Sequence, residues 1–247
     1  METVALLSDI HGNATALEAV LRDLEQQSIT GCFVLGDIAY RGAEPKRSIA
    51  LVQSLECPVI GGNADLWVTR GLREGEVRSS ALARMNAERE WTVDCLADED
   101  IAYLAALPDT HEATVDGLHF SLCHATPASR FTVVAPTAAD DELRATFLAS
   151  QGLAVHFPKV AAYGHIHLPY IRHIDGCAVI NPGSIGLPFD GVPLASYATV
   201  QVNAGRIAAT TIRRVPYNIE VAVDALARVG YPEAARIARA LRTGTAP

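Results

Sequence analysis

Three short apolar runs near the start of the chain each stop at a polar cluster: TVALLSDIHGN, CFVLGDIAYRG and CPVIGGNAD. Helical patterns lie between them. After Asn13, whose side chain suits a helix N-cap, Leu17, Val20, Leu21 and Leu24 recur at spacings of three and four. PKRSIALVQSLE opens with Pro45 near a helix start and carries a similar stripe. Strand, helix, strand, helix, strand is the pattern of an α/β unit, and it puts each polar cluster at the C-terminal end of a strand. In open α/β sheets that edge is where ligands bind.

Residues 76 to about 106 contain neither glycine nor proline and read as helical, part of a helical insertion over about 67–107. The chain then turns largely to strands. Asp116-Gly117, Asp175-Gly176 and Asn203-Ala204-Gly205 each sit between extended patterns and predict hairpins. One helix is expected at TAADDELRATFLASQG (137–152), and a helical, amphipathic tail over about 217–242 is expected to pack on the core. No internal repeat or low-complexity linker interrupts the 247 residues, so a single α/β domain spanning 1–247, with a mixed and double-layered sheet, is the expected architecture.

A 49% apolar, 19% charged composition is that of a soluble globular protein, and a net charge of −8 argues against extended nucleic acid as a partner, which needs a basic footprint. The N-terminal residues show neither a signal peptide nor a membrane span, and no membrane partner is expected. The five cysteines form no CxxC pair and read as small buried residues in a reducing compartment, which makes the cytoplasm the expected location. Oligomeric state is not encoded in any feature of the chain.

Chemistry concentrates at five strand ends. YGHIHLP places His165 and His167 two apart, a spacing that in an extended segment points both imidazoles to one side and suits metal ligation. Asp9 and His11 repeat that spacing, Asp37 follows a glycine, Asn63 stands after Gly61-Gly62, and His124 follows an apolar run. Each cluster alone also reads as a loop or cap. Together they offer seven nitrogen and oxygen ligands, too many for one ion and suited to two. With no sulfur among them, the set suits two divalent transition-metal ions, Mn first, with Fe, Zn, Co or Ni as alternatives. His111, His119, His156 and His173 fit no such cluster and read as structural or surface residues.

The ordered set DxH, GDxxxRG, GNxD, H, GHxH, spread over residues 4 to about 190, resembles the calcineurin-like metallophosphoesterase superfamily, and NPGSIG at 181–186 is similar to its small bacterial branch. The resemblance implies a double β-sheet sandwich flanked by helices, four layers in all. It implies one ion held by Asp9, His11, Asp37 and His167, and a second by Asp37, Asn63, His124 and His165, with Asp37 bridging. On this reading Asn63 is an amide ligand, with the preceding glycines letting the backbone bend it into place, and Asp65 orients the site from behind. Arg41 occupies the position of a phosphate-gripping arginine, for which a guanidinium fork is suited. Ala64 is a departure, since many members have His there to assist the leaving group; its absence favours substrates with good leaving groups, or an acid borrowed from elsewhere.

The implied reaction is hydrolysis of a small phosphoester by in-line attack of a metal-bridging hydroxide, with Asp37, Asn63, His124 and Arg41 as the catalytic set. Two divalent ions against Asp9 and Asp37 leave a charge of about +2, or about +1 with the hydroxide, which favours an anionic substrate. A phosphodiesterase comes first. A phosphomonoesterase or protein phosphatase, or a dinucleoside polyphosphate hydrolase, comes second. A non-catalytic metal or phosphate sensor stands as the reading from another class. A metallo-β-lactamase-like hydrolase would need HxHxDH, which the chain lacks.

Overall fold

Strand β1 (Glu2–Leu7) divides its side chains by parity: Val4 and Leu6 enter one apolar cluster, Ala5 and Leu7 another. That division builds the layers. The computed structural model, which describes residues 1–148 and 158–247, carries two sheets. The first has the order β2-β1-β8-β9, with β2 (Gly31–Val34), β8 (Ala195–Asn203) and β9 (Arg206–Val215). The second has the order β3-β4-β5-β7-β6, from β3 (Thr110–Val115), β4 (Leu118–Cys123), β5 (Val160–Tyr163), β6 (Tyr170–Ile174) and β7 (Cys177–Asn181).

Between the sheets, Val4, Leu6, Phe33, Phe120, Leu122, Val160, Ala162, Ile180 and Val200 pack into one buried core. The outer face of the first sheet is covered by α1 (Ala14–Glu25) and α2 (Pro45–Gln53), through Leu17, Val20, Ile49 and Val52. The outer face of the second meets Leu143, Phe147 and Leu148, with Tyr163 and Phe147 stacked at 4.8 Å. The four-layer sandwich expected from the resemblance is the observed fold.

The local signals hold. Asn13 caps α1, accepting the Ala16 N–H at 3.0 Å. All three expected hairpins form (β3–β4, β6–β7 and β8–β9), with Asp116, Asp175 and Ala204 in the left-handed region together with the glycines that follow them. The insertion is three helices, α3 (Asn63–Arg70), α4 (Ser79–Asp94) and α5 (Asp98–Ala105). The helix expected over 137–152 is observed as α6 (Asp140–Leu143) continuing into a π-helical turn, Arg144–Leu148; its remainder, like His156, lies outside the described residues. At the C-terminus α7 (Ile219–Arg228) and α8 (Ala234–Thr243) bury Leu226, Ile237 and Leu241 against Leu187 and Trp91, so they pack on the body of the fold. The cysteines depart from expectation: Cys123 and Cys177 are buried, Cys32 and Cys57 half-buried, and Cys95, just past the end of α4, is exposed. Among the described residues no helix is long and apolar enough to cross a membrane.

Candidate metal centre

The parallel pairing of β1 with β2, and of β4 with β5, brings their C-terminal ends to one edge, where the seven candidate ligands meet. The backbone there is unusual. Among the described residues, eleven non-glycine residues have positive φ; five lie in turns, and the other six are Asp9, His11, Asp37, Arg41, His165 and His167. Left-handed conformations cost branched and bulky L-residues of order 1 kcal/mol or more each, and they persist where the surrounding structure over-determines them. Here the determinants are visible. The backbone N–H groups of Asp9, His11 and Gly12 donate to the carbonyls of Gly36, Asp37 and Ile38, locking the two loops together.

Two ligand clusters result. In the first, His167 Nε2 lies 3.1 Å from both Asp9 Oδ1 and His11 Nε2, while His11 Nε2 is 3.7 Å from Asp9 Oδ1 and 3.6 Å from Asp37 Oδ2. These four ligand atoms all lie within 4.8 Å of one another and their residues are buried. In the second, Asn63 Oδ1 is 3.0 Å from His124 Nε2 and 2.8 Å from His165 Nδ1, and His124 Nε2 is 3.4 Å from Asp37 Oδ1. Asp37 thus turns one oxygen to each cluster.

The donor set fits divalent ions. Ligands about 2.1 Å from one ion at tetrahedral or octahedral angles stand about 3.0–3.4 Å apart, close to the separations seen. Asp9 divides its oxygens: Oδ2 accepts from Ser8 Oγ (2.6 Å) and the His165 N–H (3.1 Å), whereas buried Oδ1 has no hydrogen-bond partner among the described residues. An orphaned carboxylate oxygen amid imidazoles is the signature of a place for a cation. The tautomers agree. Nδ1–H of His11 donates to Tyr40 O (2.9 Å), that of His124 to Leu35 O (2.6 Å) and that of His167 to Leu187 O, leaving each Nε2 lone pair for the centre.

Electrostatics without ions show how tightly these groups are coupled. Burial works to raise the Asp9 pKa, but the charge of His167 and the nearness of His11 hold it well below the ordinary range. Asp37 is likewise raised by burial and more strongly lowered by His124 and His11, reaching about 2. His124 is disfavoured as a cation by burial, yet Asp37 and Asp9 push its pKa up to about 9. His165 goes the other way, lowered to about 4 by burial and the neighbouring His124, so its imidazole is neutral and available as a ligand.

Two expectations need correction. His165 and His167 do not face one point, because both have positive φ rather than extended backbone; the zigzag argument fails, and each ring goes to a different cluster. Nor do the glycines before Asn63 bend the chain. Gly62 is extended (φ −94°, ψ −179°) and N-caps α3, of which Asn63 is the first residue. What matters is space: a Cβ on Gly62 would stand 2.0 Å from Asp37 Oδ1, and one on Gly61 would stand 2.3 Å from the Arg130 guanidinium.

Asp65 is fully buried and accepts the N–H groups of Asp37 (2.8 Å), Ile38 (2.9 Å) and Gly62 (2.8 Å), tying the loop after β2 to the start of α3. Burial and the charge of Asp37 raise its pKa against those bonds. Ala64 is also fully buried, among the side chains packed around Tyr40 and Trp67. Arg41 has a side chain 17% exposed, with Nε 3.6 Å from Glu88 Oε2.

Sequence reasoning missed the supports from residues 181–189. Buried Asn181 donates to Gly164 O (2.6 Å), Ser184 Oγ donates to Asp9 O (2.6 Å), Leu187 O receives His167, and Phe189 stacks on the His167 ring at 4.1 Å. The NPGSIG string marked this segment without revealing what it holds. His111, His119 and His173 lie on β3, β4 and β6, away from both clusters.

Comparison with known proteins follows the same line. The profile of the calcineurin-like phosphoesterase superfamily domain matches residues 2–205. An uncharacterized protein of Methanocaldococcus jannaschii is 28% identical over 248 residues, covering 93% of this chain and 94% of that protein. The crystal structure of a metallophosphoesterase from Sphaerobacter thermophilus is 26% identical, with a TM-score of 0.78 over 98% of this chain and 99% of that one. A hypothetical protein from Pyrococcus horikoshii shares the fold at 21% identity and a TM-score of 0.83, over 99% of each chain. The chain belongs to the calcineurin-like phosphoesterase superfamily.

Proposed function

We propose that this protein is a binuclear metal-dependent phosphoesterase whose preferred substrates are small phosphodiesters with good leaving groups. The observation that carries this reading is the pair of clusters sharing Asp37, with Asp9 Oδ1 buried and unpartnered between imidazoles. Asp9, His11, Asp37 and His167 would hold one ion; Asp37, Asn63, His124 and His165 would hold the other, Mn²⁺ being the first choice. Such ions supply Lewis acidity toward a phosphoryl oxygen and a nucleophile at neutral pH.

The chain's own residues do the rest. Carbonyls of Tyr40, Leu35 and Leu187 keep the Nε2 lone pairs aimed inward, and Asp65 fixes the Asp37 loop. Arg41, beside the first cluster, offers a fork of N–H groups for phosphoryl oxygens, supporting both binding and charge stabilisation. With a buried Ala at position 64 and no imidazole there, a leaving group must depart with little proton assistance.

The test is turnover of an aryl phosphodiester and its monoester by chelator-stripped protein, before and after adding Mn²⁺. Metal-dependent turnover of the diester above the monoester, with a steep dependence on leaving-group pKa, is expected. Faster monoester turnover would assign a phosphomonoesterase, and ion binding without turnover of either would favour a sensor.

A further inference from the structure

Beside the metal centre lies a second concentration of unpaired polar atoms. Among the described residues, Arg41 Nε, Arg84 Nε, Arg236 Nη1, Tyr231 Oη and Glu88 Oε1 are all buried and lack a hydrogen-bond partner. They belong to one neighbourhood: Arg41 from the loop after β2, Arg84 and Glu88 from α4, Tyr231 and Glu233 from the turn leading into α8, and Arg236 from the first turn of α8. Arg41 Nε is 3.6 Å from Glu88 Oε2, and Arg84 Nε is 3.8 Å from Glu233 Oε2, contacts too long for hydrogen bonds. Tyr40 Oη reaches Glu88 Oε2 at 3.3 Å, and Arg236 Nη2 donates to Pro247 O. Glu88 is fully buried and Tyr231 is 3% exposed, so water outside the cluster does not satisfy them.

The guanidinium groups of Arg41, Arg84 and Arg236 face the carboxylates of Glu88 and Glu233 here. Burial, and then the charges of Arg84 and Arg41, depress the Arg236 pKa against the pull of Glu88 and Glu233, so the arginines are close enough to repel one another. Unpaired N–H donors on neighbouring guanidinium groups are what a compact oxyanion requires. Arg41 joins the cluster to the metal site. Tyr40, next to Arg41 in the chain, accepts the His11 Nδ1–H at 2.9 Å, and His11 and Arg41 line one cleft with Ile237 and Leu241 of α8.

We infer that Arg41, Arg84 and Arg236, with Tyr231, form an anion subsite that takes a second phosphoryl group of the substrate while the first sits at the metal centre. The inference rests on the phosphoesterase reading and narrows it to substrates with a phosphate chain. Arg84 and Arg236 are then specificity residues, one from the helical insertion and one from the C-terminal helices, and neither belongs to the metal-binding motifs.

Two measurements on the full chain test it. The first is calorimetric titration of chelator-stripped protein with inorganic pyrophosphate and with orthophosphate. Wild type is expected to bind pyrophosphate, and Arg84→Gln and Arg236→Gln, each checked for a wild-type circular-dichroism spectrum, are expected to weaken it tenfold or more. The second compares Mn²⁺-loaded proteins on an aryl ester of a nucleoside diphosphate and on that of the corresponding monophosphate. The kcat/KM ratio of the first over the second is expected to fall at least tenfold in both variants. No pyrophosphate binding to stripped wild type, or equal binding by the variants, overturns the site. Loss of binding with an unmoved ratio overturns the assignment to substrate and leaves a site for free phosphate. Pyrophosphate binding through these arginines, with neither ester turned over, supports the anion site and overturns the phosphoesterase reading alone.

Discussion

Replacing Asp65 tests whether one buried carboxylate holds the metal loops together. Its oxygens accept three backbone N–H groups, Oδ2 from Asp37 and Gly62 and Oδ1 from Ile38. A buried donor left unpaired costs about 1–3 kcal/mol, so Asp65→Ala, which strands three, forfeits roughly 3–9 kcal/mol. Part returns, because burial and Asp37 already disfavour the ionised side chain. We expect a net loss of about 3–5 kcal/mol, a fall in Tm of roughly 6–20 °C for a chain of this size. Asp65→Asn separates the contributions. Its one carbonyl oxygen can serve Asp37 and Gly62 together, setting the amide NH₂ against the Ile38 N–H, so one bond is lost, about 1–3 kcal/mol. Thermal melts of chelator-treated proteins read both, and Mn²⁺ titration reads whether Asp37 has lost its position. Melting of the Ala variant within about 2 °C of wild type, or an Asn variant as unstable as the Ala one, would refute the reasoning.

Further outcomes follow from the same geometry. Folded His124 keeps its proton to about pH 9, whereas unfolded it titrates near 6.5. A raised pKa stabilises fully below the unfolded value and is lost as pH rises through the folded one, so chelator-treated protein is expected to melt progressively lower between those pH values. An ion must displace that proton, so Mn²⁺ affinity is expected to rise over the same window, with proton release at pH 7 read by calorimetry in buffers of different ionisation enthalpy. Gly62→Ala, whose Cβ would stand 2.0 Å from Asp37 Oδ1, is expected to weaken Mn²⁺ binding at least about tenfold. Gly31→Ala, with nothing within 4 Å, is expected to stay within about 0.5 kcal/mol of wild type. The Arg213 bond, and then Tyr197, lower the Asp23 pKa against burial, so its contribution is present above the ordinary carboxylate range and lost in acid. The Tm gap between wild type and Asp23→Asn is therefore expected to close as pH falls below that range.

Much of the site was legible because its parts are local. Asp116-Gly117 specifies a hairpin by its own turn chemistry, and an apolar run stopping at Ser8-Asp9 specifies a strand end, whatever surrounds them. The ordered motifs were enough to name the seven side chains that the fold brings together in the two clusters. Local reasoning failed where backbone conformation depends on distant partners. His165 and His167 leave the extended region because their loop is held by Asp9 and Leu187, contacts no spacing rule contains.

By itself, then, the sequence determined the layers, through parity along strands such as β1, and the identity of the side chains gathered in the two clusters, through short strings at strand ends. Tertiary structure alone decided which atoms converge. His11 and His167 are 156 residues apart, yet their Nε2 atoms meet at 3.1 Å. Arg41, Arg84 and Arg236 carry no motif between them, and only the packing of α4 and α8 beside the loop after β2 makes them one site. Short-range chemistry is written in neighbouring residues, whereas the meeting of distant atoms depends on the whole core, whose many apolar contacts are interchangeable in sequence and fixed only in space.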